Sequence, residues 1–163
     1  MDESVLEEGL LELDPTIITI QAISAFVKAY EVYAADASAT APMQDGLPLL
    51  PAGLALGVAA MEGVMSALPL ISGPNEALTR IPQAVIAFWT AIAGGLATSF
   101  AGATAIVPPP HATFQVDFAT LMAANTAASV SKEDAAASLA TLMHINATLG
   151  GTVSVGPTVY TIV

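Results

Sequence analysis

The sequence predicts an all-α protein, a compact bundle of about five helices with extended loops and a short C-terminal β strand or hairpin. Three observations lead there. Alanine-rich apolar stretches recur with a period of three to four residues through the middle of the chain. Prolines and paired glycines divide those stretches. Only "TVSVGPTVYTIV", residues 152–163, alternates with β-branched residues as a strand does. At 163 residues the chain fits one domain: an acidic arm at 1–14, a helical body at 15–150 and a β extension at 151–163.

Each element has a local reason. "MDESVLEEGLLELD" makes a short helical arm with Val5, Leu6, Leu10 and Leu13 on one side, weakened by Gly9. A helix over 15–36 follows, with Asp14 as N-cap, Pro15 at N1 and a stripe of Ile20, Ile23, Val27, Tyr30 and Tyr33 or Ala34. "SATAPMQDGLP" reads as a loop because Pro42, Asp45-Gly46 and Pro48 interrupt regular structure. Leu54, Val58, Met61, Met65 and Leu68 form the next stripe, backed by small Gly53, Gly57 and Ala60 and bounded by Pro51 and Pro69. "ISGPNEALTRIPQ" is a connector with a helical turn at Glu76–Thr79. Pro82 starts a helix carrying Val85, Phe88, Trp89 and Ile92, and Gly94-Gly95 stops it. "LATSFAGATAIVPPP" then reads as extended and buried. Phe114, Phe118, Leu121 and Met122 mark one more amphipathic helix. The last helix opens on Ser131 and Asp134, a variant capping box, carries Leu139, Leu142, Met143 and Asn146 on one face, and closes at Gly150-Gly151. Trp89, Phe88, Phe114 and Phe118 are the expected core.

Composition narrows the function. Fourteen acidic residues face three basic ones, Lys28, Arg80 and Lys132, for a net charge of −11. That charge repels polyphosphate and anionic membrane surfaces, so nucleic acid is not expected as a partner. Without cysteine there is no disulfide framework and no thiolate metal site. The acidic start has no basic segment followed by an apolar one, so no secretory signal is expected. Hydrophobic residues make up 55% and charged residues 10%, where about 25% charged is usual. Neighbouring subunits or a bilayer could absorb that apolar excess.

The bilayer has one candidate, the uncharged stretch Gln83–Val107. Gly94-Gly95 limits its helix to roughly 20 Å, and a bilayer core needs about 30 Å. Gln83, Thr90, Thr98, Ser99 and Thr104 make it more polar still, and no Lys/Arg cluster flanks it. The sequence therefore favours an alanine-rich helix packed inside a soluble bundle.

Candidate chemistry is sparse. His111 and Asp117 are six residues apart, which puts them on different faces of a helix. His144 has Ala140, Thr141, Ala147 and Thr148 where a helical metal site needs ligands, so it reads as a structural histidine. Asp2, Glu3, Glu7, Glu8, Glu12 and Asp14 lack the glycine-centred calcium loop and read as a solvated face. Neither glycine pair has a phosphate-loop pattern. The sequon at Asn146-Ala147-Thr148 falls inside a helix, and Met61 and Met65 fill core. No catalytic residue, cofactor or metal is expected. The apolar chain end draws more attention: it docks on its own body or adds a strand to a neighbour. Leu6, Leu10, Val159, Tyr160, Ile162 and Val163 are the expected contact residues.

The order "AYEVYAADA", "AFWTAIAGG", "GATAIVPPPHATF" and "LATLMHINATLGGTVSVGPTVYTIV" resembles small alanine-rich helical structural proteins of tailed bacteriophages, over most of the chain. The resemblance implies a non-enzymatic part of a tail, baseplate or head–tail junction. Such a part is assembled in the host cytoplasm, resides in the virion, and contacts other virion proteins and copies of itself. It carries over no functional residue. The alternative expectation is a small holin-type membrane protein.

Overall fold

The computed structural model describes residues 1–13, 19–67, 74–109 and 113–163, with residues 74 and 75 described by their backbone alone. These residues form seven helices and a five-stranded antiparallel sheet, so the fold is mixed α and β and not the predicted all-α bundle. The correction has a physical cause. Strands β1 (Ser38–Thr40), β2 (Leu47–Pro48) and β3 (Ala105–Val107) are only two or three residues long. A period-two pattern cannot show in so few positions. Both β1 and β2 lie inside the stretch read as a loop. Strand β2 pairs with β1, whose other partner β5 (Thr158–Ile162) is distant in sequence, and β4 (Thr152–Val155) turns into β5 through Gly156-Pro157. Gly156 has φ +57°, the positive value a two-residue hairpin turn takes at its first position. The sheet runs β2-β1-β5-β4-β3.

The helices follow their caps. Helix α1 (Glu3–Leu11) starts at Asp2, whose carboxylate accepts from Ser4 N at 3.0 Å. Helix α2 (Ile20–Ala35) is capped by Thr19, which accepts from Ala22 N at 3.1 Å. The expected cap at Asp14 and Pro15 lies outside the described residues. Helix α3 (Pro51–Met65) opens with proline at N1, as the sequence suggests.

Helix α4 (Pro74–Gly94) differs most from expectation. It begins inside the predicted connector and continues through Pro82. An interior proline costs about 3 kcal/mol. Ile81, Val85 and Phe88 are all buried on the same helix. Each such side chain contributes about 1.5–3 kcal/mol, which outweighs the proline. Helix α5 (Leu96–Ser99) replaces the start of the predicted extended segment. It is pinned by the buried Ser99 Oγ, which lies between Ile92 O and Gly95 O. Helices α6 (Phe114–Ala128) and α7 (Lys132–Gly150) match expectation. Ser131 caps α7, accepting from Asp134 N and donating to Asp134 Oδ2, both at 3.0 Å.

One core joins these elements, from Leu6 to Ile162. At its centre Tyr30 meets Phe88 edge-on at 5.0 Å, and Phe88 meets Trp89 at 5.2 Å. Trp89, Phe88, Phe114, Phe118, Met61 and Met65 are all buried, as the sequence predicts. Helices α3 and α4 pack closely because Gly57 has no side chain; a Cβ there would sit 2.7 Å from the Phe88 ring. The stretch Gln83–Val107 is divided among the end of α4, α5 and β3. Among the described residues, no helix is long and apolar enough to cross a membrane.

Candidate functional site

The two chain ends converge on the core rather than extending from it. Helix α1 packs against α2 and α7, which buries Leu6 and Leu10. Strand β5 lies at the middle of the sheet, so its side chains alternate between core and solvent. Tyr160 and Ile162 point into the core, while Val159 and Val163 are 58% and 38% exposed. Of the six residues the sequence nominates for contacts, four are therefore covered by the chain itself.

The solvent side of the sheet forms a surface around the exposed two. Thr40 pairs with Thr161, Thr161 with Thr152, and Thr152 with Val107. This places three threonines and a valine in one row across four neighbouring strands, at the ~4.8 Å spacing of a sheet. Ser154 and Val159 sit opposite each other in the next row. No strand residue on this face is charged. Thr40, Thr161, Val107 and Val159 are all exposed.

A second constellation lies between the helices. Tyr33 Oη is 3.1 Å from Nδ1 of half-buried His144. Thr141, one turn before His144 on α7, donates to Glu3 of α1. Burial pushes the Tyr33 phenol well above its usual range, and the neighbouring Tyr30 and Glu3 add to that. Tyr33 therefore stays protonated at neutral pH and suits a hydrogen-bonding role, not a nucleophilic one. His144 is partly exposed and hydrogen-bonded to Tyr33.

The other sequence candidates are dispersed. His111 lies outside the described residues, and Asp117 is exposed on α6. Asp2 caps α1, and the hydrogen bonds from Ser4 Oγ and N hold its carboxyl below the usual range. Among the described residues, no three His, Cys, Asp or Glu side chains come together as a metal site. Asn146 is buried within α7 and donates to Leu142 O.

No known protein family, curated protein or solved structure matches this chain. The residues themselves carry the functional reading. The sheet face was half legible: Thr152, Ser154, Val159 and Thr161 alternate with Val153, Tyr160 and Ile162. Its outer members, Thr40 and Val107, gave no local signal.

Proposed function

We propose that this protein is a non-enzymatic assembly component of a tailed-phage particle, at the tail, baseplate or head–tail junction. It acts through contacts with other virion proteins and with copies of itself, and is built into the virion from the host cytoplasm. The observation that carries the reading is the row Thr40–Thr161–Thr152–Val107. In a chain of net charge −11, an uncharged β-branched face is where another acidic surface can approach without opposing carboxylates. The setting comes from the resemblance of the sequence to alanine-rich phage structural proteins. A holin-type reading would need a spanning helix, and none of the described helices is long and apolar enough.

The test is absolute mass determination in detergent-free buffer, for the wild-type chain and for Thr161→Lys. Thr161 is exposed, so the lysine leaves the core untouched. The expected result is a defined oligomer that Thr161→Lys converts to a 16.4 kDa monomer. A wild-type monomer, or an oligomer indifferent to the lysine, would count against the sheet face as the contact surface.

A further inference from the structure

An open groove of about 770 Å³ lies between the end of α1, the first half of α4, α6 and α7. Its size is within the roughly 300–1,000 Å³ of small-molecule sites. It reaches the core. Among the described residues, nine core residues keep between 4% and 7% exposure, and six of them line this groove: Leu10, Leu13, Ala77, Ile81, Ala136 and Leu139. Phe118 and Met122 of α6 form the facing wall.

The groove has a polar end at the α6–α7 corner, where Ser129, Ser131 and Lys132 line it. Lys132 differs from the other two cations of the chain. Lys28 pairs with Glu31 at 2.6 Å, and Arg80 donates to Ala67 O at 2.7 Å. Lys132 has no hydrogen-bond or ion-pair partner among the described residues. Its neighbours Glu133 and Asp134 do not line the groove. An apolar trough therefore ends beside the exposed Lys132, whose ammonium group has no partner among the described residues, in a molecule of net charge −11.

We propose that this groove binds a single-chain amphiphile with an anionic head, a long-chain carboxylate. Its hydrocarbon chain lies along Ile81, Phe118 and Leu139, and its carboxylate meets Lys132 Nζ. The apolar walls supply the affinity, and the lysine selects the sign of the head and its position. This site shares no residue with the sheet face, so the two proposals stand or fall separately.

Calorimetric titration of the full chain tests it, with sodium decanoate, decan-1-ol and decyltrimethylammonium, each below its micelle concentration. The expected result is one decanoate per chain, bound more tightly than the ammonium amphiphile. Lys132→Ala should weaken decanoate about two- to five-fold, the range of an exposed charge pair, and leave decanol unchanged. Ala136→Leu, a good helix former on the groove wall, should block both ligands while circular dichroism stays that of the wild type. Absence of saturable decanoate binding to the wild type would overturn the proposal. So would equal decanoate affinity in wild type and Lys132→Ala, or tighter binding of the cationic amphiphile. Adsorption to phosphatidylglycerol vesicles without uptake of monomeric decanoate would assign the apolar surface to a bilayer and overturn it as well.

Discussion

Trp89 Nε1 donates to Tyr30 Oη across 2.9 Å, a hydrogen bond that ties α4 to α2 at the centre of the core. Both residues are buried to within 1% of full coverage. Tyr30→Phe leaves the indole N–H without an acceptor in a dry environment. The expected loss is about 1–3 kcal/mol in urea unfolding, the penalty of an orphaned buried donor. Tyr33→Phe is the control. Its partner His144 is half-buried and reaches water, so that loss should stay near 0.5–1.5 kcal/mol. Equal losses would show that the indole contact has no special weight.

The same two phenols set an alkaline limit. Burial pushes both well above the ordinary value of 10, only partly offset at Tyr30 by the Trp89 hydrogen bond. In the unfolded chain they ionise near pH 10. The folded state holds the protons more tightly, so its stability is fully present below pH 10 and declines as pH rises beyond it. Urea midpoints should be flat from pH 8 to 9.5 and fall above pH 10. Tyrosinate absorbance from Tyr30 and Tyr33 should appear together with unfolding, as seen by far-ultraviolet circular dichroism. Ionisation of all three tyrosines in a chain that is still folded would contradict their burial.

Two glycines of α3 should respond in opposite directions to alanine. At Gly57 a Cβ would lie 2.7 Å from the Phe88 ring, and that ring is packed between Tyr30 and Trp89 with no room to withdraw. Gly57→Ala should cost about 1–3 kcal/mol, as overpacking does. At Gly63 nothing lies within 4 Å, and the residue is exposed. Gly63→Ala should add about 0.5–1 kcal/mol through helix propensity alone. Thermal unfolding of the pair reads both signs, and a neutral Gly57→Ala would mean that α3 can shift away from α4.

The parts of the fold that were legible in the sequence are those written in local chemistry. Ser131 caps α7, Gly156-Pro157 turns the hairpin, and the aromatic stripe of Phe88 and Trp89 faces inward, all as their neighbours dictate. The sheet was not legible beyond that hairpin. Ser38–Thr40 and Ala105–Val107 become strands only because β5 and β4 offer them hydrogen bonds. Pro82 misled in a similar way. Its local preference to start a helix was overridden by tertiary burial of Ile81 beside it. The groove was invisible for a further reason: its walls come from four helices, and a cavity is a property of how they meet.

Strand β5 occupies the centre of the sheet, and its partner Ala39 precedes Ile162 by 123 positions (162 − 39). The β4–β5 hairpin closes through a two-residue turn and can form within microseconds. The seam between β5 and β1 must instead wait for a loop of more than a hundred residues to close, a slow step that the helices between them shorten only once they have packed. The seam is therefore a late event in folding, and Thr40 and Thr161 become neighbours only when it closes. On the proposed assembly role, a partner that touched both threonines at once would recognise finished chains and ignore partly folded ones.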